Sequence, residues 1–129
     1  MTSPAKRIVI VDDSDAACEM FREILMERYG ADRVAVETYV TPIHALPKID
    51  DTIDLLIVDL EMPHIDGKKF LEFAIEKGVG RRKVIVTSGR DAEELHKIFP
   101  AGSCLAVMNK TEPKQREAFT MILDSIMKR

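Results

Sequence analysis

Five side chains that could do chemistry follow short apolar runs of this chain. Asp12 and Asp13 come after the first run, Asp59 after the third, Thr87 after the fourth and Lys110 after the fifth. A carboxylate in such a place can bind a metal ion, act as a nucleophile or shape a turn, and the turn is the commonest of these roles. A hydroxyl and an ammonium add a hydrogen-bond donor and a positive charge. The chemistry of these residues therefore depends on whether the fold brings them together.

The apolar runs are typical of strands in a parallel sheet. Leu55–Val58 is unbroken, leads straight to Asp59 and is followed by turn residues that include Pro63 and Gly67, which indicates a strand buried on both faces. Four further runs have the same character. The predicted strands are Arg7–Val11, Val34–Val36, Leu55–Val58, Val84–Val86 and Leu105–Met108.

Helical patterns separate these strands. The predicted helices begin at or near Ser14, Thr41, Asp66, Asp91 and Thr111. The second would carry Ile43, Leu46 and Ile49, and it should be short or kinked because Pro47 lies inside it. Because parallel neighbours need a long crossover, strands that alternate with helices predict a five-stranded, doubly wound parallel α/β sheet flanked by five helices.

Length and composition indicate one ordinary globular domain. The 129 residues are 46% hydrophobic and 32% charged, with a net charge of −3, which argues against disorder and against a basic surface for nucleic acid or membrane. Cys18 and Cys104 lack metal-ligand spacing and are expected to be buried thiols in a reducing compartment. With no membrane-length apolar stretch and no signal-peptide core, we expect a cytoplasmic protein. The expected domain is residues 1–129, structured from about 6 to 128.

The carboxyl ends of parallel strands lie on one edge of a sheet, so the five chemical side chains should share one crevice. The carboxylates of Asp12, Asp13 and Asp59 would repel one another there, and Lys110 offsets one charge. A hard divalent cation with oxygen ligands, of which Mg²⁺ is the usual example, would offset two more. Such a site suits phosphoryl transfer, with Asp59 on the middle strand as the nucleophile that forms an acyl phosphate.

Four blocks of sequence resemble the receiver domains of two-component response regulators. They are Ile8–Asp13, Val58–Gly67, Val84–Gly89 and Lys110. The block around Asp59, with its Met-Pro and Asp-Gly pairs, is the most specific, and the match runs from about Lys6 to the last helix. The resemblance implies a flavodoxin-like fold and a single-domain, chemotaxis-Y-like signalling protein that catalyses only its own phosphorylation and dephosphorylation.

The resemblance also implies a role for each site residue. Asp59 would become the aspartyl phosphate, with the phosphoryl group supplied by a sensor histidine kinase or a histidine phosphotransfer protein. Asp13 and Asp59 would hold Mg²⁺ directly, Asp12 largely through water, and the backbone carbonyl of Glu61 would complete the set. Thr87 and Lys110 would each contact a phosphoryl oxygen, and the switch would act on contacts with a downstream protein, not on nucleic acid or a membrane.

The sequence departs from the family pattern at three positions. Thr111 follows Lys110 where the family usually has Pro, so the loop there is expected to differ. Val107 stands where an aromatic side chain often swings inward on activation, so a switch of that kind is not expected. Glu61 lies two residues after Asp59, a position that influences phosphoryl loss in the family, and we expect it to affect that rate.

Three other functions share parts of this pattern. A phosphatase of the haloacid dehalogenase type would have a second acid two residues after the nucleophile, as Glu61 is, but also a Thr two further on, where Pro63 stands. An interaction module without phosphorylation would not need the acid set. A nucleotide or flavin carrier would have a Gly-rich loop after the first strand. His64 could act on a phosphoryl group or bind metal, although a loop role is the simpler interpretation. The chain is either a stand-alone regulator or a part of a longer one.

Overall fold

The computed structural model describes residues 5–110 and 113–128 of the chain. The strands are β1 (Lys6–Val11), β2 (Val34–Tyr39), β3 (Leu55–Asp59), β4 (Val84–Ser88) and β5 (Ala106–Asn109). The helices are α1 (Asp15–Tyr29), α2 (Pro42–Ala45), α3 (Gly67–Glu76), α4 (Ala92–Ile98) and α5 (Pro113–Met127). Short 3₁₀ turns cover Leu46–Lys48 and Arg81–Lys83. Among these helices, none is long and apolar enough to span a membrane.

The five strands form one parallel sheet in the order β2-β1-β3-β4-β5. The strand order changes direction between β1 and β3, because β2 lies on one side of β1 and all later strands lie on the other. Loops diverge above such a point and leave a crevice at the carboxyl ends of the strands. The predicted α/β sheet is therefore confirmed, and Asp59 ends its central strand.

Two apolar layers hold the helices on opposite faces of this sheet, because alternate residues of a strand point to opposite faces. On one face, Val9 and Val58 pack with Phe70 of α3 and Leu95 of α4. The other layer is closed by α1 and α5, whose Phe21 and Phe119 rings meet edge to face with centroids 5.3 Å apart. Each helix is thus anchored by its apolar stripe, and the carboxyl edge of the sheet stays open.

Helix α2 is short, as the position of Pro47 predicted. It ends at Ala45, and a 3₁₀ turn follows over the segment that contains Pro47. Ala45 is fully buried, whereas the side chain of Ile43 is 56% exposed. Of the residues expected in this helix, Ile43 lies in α2, whereas Leu46 lies in the 3₁₀ turn and Ile49 follows it.

The other helix starts follow ordinary capping chemistry. Ser14 accepts a hydrogen bond from the backbone N–H of Ala17, and Asp66 accepts one from that of Lys69. Asp91 likewise accepts from the N–H of Glu94. These three caps confirm the predicted starts of α1, α3 and α4. The predicted cap of α5 at Thr111 or Glu112 lies outside the described residues.

Candidate phosphoacceptor site

Three carboxylates meet at the carboxyl edge of the sheet, as the sequence predicted. Carboxylate oxygens of Asp12, Asp13 and Asp59 all lie within 4.8 Å of one another. Asp59 is the last residue of β3, and the Asp pair follows β1 directly. Parallel pairing of these two neighbouring strands fixes the approach, because Val11 is in register with Val58.

Burial separates the roles that these carboxylates can take. Asp12 is 1% exposed and Asp59 is 3% exposed, whereas Asp13 is exposed to solvent. One Asp12 oxygen accepts a hydrogen bond of 2.9 Å from the backbone N–H of Ser14. That bond ties the orientation of Asp12 to the N-terminus of α1, while Asp13 remains open to a ligand from solvent.

Lys110 supplies the cation beside this cluster. Its Nζ lies 3.0 Å from one Asp12 oxygen and 3.5 Å from one Asp59 oxygen. Burial by itself would lower the pKa of Lys110, but the hydrogen bond to Asp12 and the nearby carboxylate charges raise it above its ordinary value. Lys110 is therefore an ammonium, and its single charge leaves the three carboxylates only partly neutralised.

The electrostatic imbalance appears directly at Asp59. Burial, and after it the neighbouring charge of Asp12, are the main causes that raise the pKa of its carboxyl group from 3.8 to about 7. Lys110 and the backbone N–H of Glu61, which lies 3.4 Å from an Asp59 oxygen, offset only part of this effect. An all-oxygen donor set with two buried carboxylates, one exposed carboxylate and excess negative charge fits a hard divalent cation such as Mg²⁺.

Thr87 lies beside Asp59 and is fully buried. The two residues are in register between β3 and β4, and the Leu60 N–H donates to the Thr87 carbonyl at 2.8 Å. The Thr87 hydroxyl has no hydrogen-bond partner in the part of the chain that the structure describes. Burying a hydroxyl without a hydrogen-bond partner costs free energy. The Thr87 hydroxyl can therefore donate a hydrogen bond to an acceptor that arrives at the site.

Comparisons with known proteins place this arrangement in a family. The family model of the response regulator receiver domain matches residues 8–119 of the chain. The chain belongs to the response regulator receiver family. Receiver domains are the phosphoacceptor modules of two-component signalling, so the family resemblance seen in the sequence is confirmed, together with the signalling class that it implied.

Relatives and solved structures agree with this assignment. The chain is 30% identical over 105 residues to protein-glutamate methylesterase/protein-glutamine glutaminase 5 of Myxococcus xanthus, a match that covers 81% of the chain and 30% of that protein. It is 29% identical over 110 residues to the transcriptional regulatory protein YhcZ of Bacillus subtilis, a match that covers 84% of the chain and 50% of that protein. The receiver domain thus spans half or less of the length of these curated relatives.

The structural matches cover almost the whole receiver domain. A CheY-like receiver domain protein of Methanospirillum hungatei matches with a TM-score of 0.72 and 25% identity over 95% of this chain and 94% of that one. The chemotaxis response regulator CheY4 of Vibrio cholerae matches with a TM-score of 0.73 and 20% identity. This match covers 95% of this chain and 98% of that one. The second likeness supports the fold alone.

Val107 and His64, which the sequence analysis discussed, both lie within the described residues. Val107 is half-buried and packs against the apolar layer on the α3 and α4 side. His64 is exposed and has a φ of 72°, so it serves as a left-handed loop residue in the described geometry. Thr111 lies outside the described residues, and Cys104 is only half-buried where a buried thiol was expected.

Sequence reasoning missed the polar contacts around the Glu61 side chain. Its carboxylate accepts a hydrogen bond from the Ser88 hydroxyl and faces the Arg90 guanidinium at 3.4 Å. Asn109, at the end of β5, donates from its amide to the Arg90 carbonyl at 2.8 Å. The signal available in the sequence was only that polar residues continue past the ends of β4 and β5.

The raised pKa of Asp59 predicts a pH-dependent stability. The unfolded chain loses this proton near the ordinary pKa of 3.8, whereas the folded protein keeps it to about 7. Unfolding therefore releases a proton between these values, so stability falls as pH rises through that window, by about 2–4 kcal/mol in the absence of divalent metal. Asp59→Asn should lack this part of the decline, since an amide does not titrate.

Urea unfolding in a chelating buffer at about pH 5 and about pH 8 measures the effect. The wild type should lose more stability than Asp59→Asn between the two conditions. Equal losses in both proteins would show that Asp59 titrates normally in the folded state.

Proposed function

We propose that this receiver domain accepts a phosphoryl group on Asp59 and relays the signal through altered contacts with another protein. The observation that carries the proposal is the meeting of three carboxylates, one ammonium and one unpartnered buried hydroxyl at a single edge. The carboxylate of Asp59 is the nucleophile, because it ends the central strand, with the end of β1 on one side and the ends of β4 and β5 on the other. The proposed domain comprises residues 1–129.

The donor is proposed to be a phosphohistidine of a sensor histidine kinase or a histidine phosphotransfer protein. An Asp59 oxygen bonds to phosphorus while the phosphorus–nitrogen bond breaks, and the leaving imidazole takes the electron pair and a proton. Lys110 balances the negative charge of the transferred group, and the Thr87 hydroxyl donates a hydrogen bond to one of its oxygens. New charge on Asp59 thus recruits both side chains, and their loops follow.

The residues that would hold Mg²⁺ are Asp12, Asp13, Asp59 and the backbone carbonyl of Glu61. When bound, the ion supplies positive charge that offsets the oxygens of the transferring group. The excess negative charge of the cluster, visible in the raised pKa of Asp59, supports this assignment. Without a cation, two anions would have to approach each other closely.

Relatives support the proposed partner class. The chain is 33% identical over 72 residues to sensor protein GacS of Pseudomonas syringae. This match covers 56% of the chain and 8% of that protein. We propose that the domain works in the cytoplasm and contacts proteins, not nucleic acid or membrane. Its chemistry is confined to its own phosphorylation and dephosphorylation.

Removing the exposed member of the acid cluster tests the metal assignment. Asp13→Ala should raise the Mg²⁺ concentration needed for half-maximal phosphorylation by about tenfold or more, because a lost carboxylate ligand weakens binding of a hard cation. The measurement is phosphate uptake from a small acyl phosphate, followed by intact mass over a Mg²⁺ titration. Asp15→Ala, an exposed acid in the first turn of α1, is the matched control. An unchanged titration for Asp13→Ala would remove this residue from the metal set.

Removing the ammonium tests the charge balance. Lys110→Ala should keep the fold and slow phosphorylation by roughly 10- to 100-fold, because the transferred charge loses its fixed counter-ion. Initial rates of uptake at saturating Mg²⁺ measure this effect. Lys97→Ala, an exposed lysine at the end of α4, should behave as the wild type. A rate for Lys110→Ala within twofold of the control would contradict the role given to Lys110.

A further inference from the structure

Two side chains from the loop after β4 hold the carboxylate of Glu61 at the mouth of the site. The Ser88 hydroxyl is within hydrogen-bond distance of both Glu61 oxygens, 2.9 Å from the second. The Arg90 Nε lies 3.4 Å from the first oxygen. Ser88 has one hydroxyl proton to donate, so it holds the carboxylate through one hydrogen bond, while the Arg90 cation pairs with the negative charge of Glu61.

The loop that supplies these contacts is itself fixed. The Arg90 backbone N–H donates to the Ser88 hydroxyl oxygen at 3.0 Å, and the Asn109 amide donates to the Arg90 carbonyl at 2.8 Å. Ser88 is fully buried and Asn109 is 5% exposed, so these bonds are shielded from water. The Arg90 side chain thus extends from a rigid base, although its guanidinium is itself partly solvated.

Glu61 is close to the reacting carboxylate. Its backbone N–H lies 3.4 Å from an Asp59 oxygen, and its carboxylate is a source of negative charge that raises the pKa of Asp59. An unrestrained carboxylate on this residue could turn toward the phosphoryl group through ordinary rotation of its side chain. The contacts with Ser88 and Arg90 oppose that rotation.

We infer that Ser88 and Arg90 are positioning residues that prolong the aspartyl phosphate by keeping the Glu61 carboxylate engaged and away from the hydrolytic water. The inference rests on the proposed phosphorylation of Asp59. In hydrolysis, a water oxygen bonds to phosphorus while the phosphorus–oxygen bond to Asp59 breaks. The electron pair returns to the Asp59 carboxylate, inorganic phosphate leaves, and the water gives up a proton.

A carboxylate beside the attacking water accelerates this step by taking that proton. Glu61 offers such a carboxylate two residues from Asp59, but it is held by the Ser88 hydrogen bond and the Arg90 ion pair. Release of Glu61 should therefore make it a base for hydrolysis. The Arg90 contact is the better one to remove, because the side chain is 46% exposed and contributes little to the core.

The test measures the loss of a preformed aspartyl phosphate. The wild type and the variants Arg90→Gln, Glu61→Gln and the double variant are loaded with a small acyl phosphate and Mg²⁺. The donor is then removed, and the phosphorylated fraction is followed by intact mass. Arg82→Gln is the matched control, because Arg82 is an exposed arginine at the opposite end of β4.

Arg90→Gln should lose phosphate roughly three to ten times faster than the wild type, less than the 10²-fold or more of a fully positioned base. Arg90→Gln should have no further effect in the Glu61→Gln background, so the double variant should lose phosphate at the rate of Glu61→Gln, whatever that rate is. Arg90→Lys should restore most of the wild-type lifetime, since it returns the charge. This non-additivity and rescue would not arise from a general loosening of the loop.

Two results would overturn the inference. Normal loading of Arg90→Gln followed by loss at the wild-type rate would show that Arg90 has no influence on the lifetime. A double variant as fast as Arg90→Gln would show that Arg90 does not act through Glu61. Failure of the wild type to load at all is a different result, since it would refute the proposed phosphorylation of Asp59 and this inference with it.

Discussion

Asp59→Asn is expected to abolish phosphate uptake, with a rate at least about 100-fold below that of the wild type. The amide oxygen is a poor nucleophile, and the change also removes one ligand charge from the metal set. The remaining acids should not replace Asp59. Asp12 is held by Lys110 and by the N–H of Ser14, and Asp13 is exposed at the rim of the cluster.

The same variant is expected to remain folded, because Asn has nearly the same shape and carries no buried charge. Intact mass after incubation with an acyl phosphate and Mg²⁺ measures uptake, and thermal unfolding confirms the fold. Asp32→Asn, an exposed acid before β2, should take up phosphate as the wild type does. Stable uptake by a folded Asp59→Asn protein would show that another residue is the acceptor.

Gly67→Ala is expected to disturb both stability and the site. A Cβ at this position would lie 2.5 Å from the Asp59 carbonyl oxygen and 2.6 Å from the Leu60 Cα. Both are backbone atoms, so no side-chain rotation relieves the clash. Alanine gains about 1 kcal/mol of helix propensity over glycine, but overpacking against backbone costs more. We expect a net loss of about 2 kcal/mol or more and slower phosphorylation, because β3 must shift at Asp59.

Urea unfolding of Gly67→Ala and Gly80→Ala separates this local clash from the general effect of replacing glycine. Gly80 has an ordinary φ of −64°, and a Cβ there would have no heavy atom within 4 Å. Gly80→Ala should therefore be neutral or slightly stabilising, by up to about 1 kcal/mol, through the unfolded state. Equal stability of Gly67→Ala and the wild type would mean that the close approach to β3 is not required.

The parts of the fold that were predictable are those with a repeating pattern. Each strand was visible as an apolar run, and the caps Ser14, Asp66 and Asp91 marked helix starts within a residue or two. The alternation of strands with helices predicted parallel pairing. The carboxyl ends of the strands therefore had to lie at one edge of the sheet. The convergence of Asp12 and Asp59 was therefore a consequence of topology, not of any local motif.

Contacts between polar residues that are far apart in the chain could not be predicted from the sequence. Glu61 and Ser88 are separated by 27 positions, and nothing in the residue pattern around either one indicates that their side chains meet. Arg7 likewise binds Glu37 and Asp50 across the amino ends of the strands, at separations of 30 and 43 residues. Such pairs depend on strand order and on rotamers, which no periodicity encodes.

Gly67 illustrates a different limit of sequence reasoning. Its place after an Asp indicated a turn and a helix start, and both are present. The stronger constraint is the approach of its Cα to the end of β3, which requires the three-dimensional packing of α3. Pro47 shows the converse, because its local chemistry indicated a short or kinked helix and the α-helix indeed ends at Ala45.

The chemical location of the phosphoryl group tests most directly whether Asp59 is the acceptor. The wild type is incubated with Mg²⁺ and a small acyl phosphate, reduced with borohydride and digested, and its peptides are sequenced by mass spectrometry. Hydride reduction converts an aspartyl phosphate to homoserine, so the modified position is read as a change of residue. We predict homoserine at position 59 only when Mg²⁺ and donor are both present. Homoserine at position 12 or 13, or none in a folded protein, would contradict it.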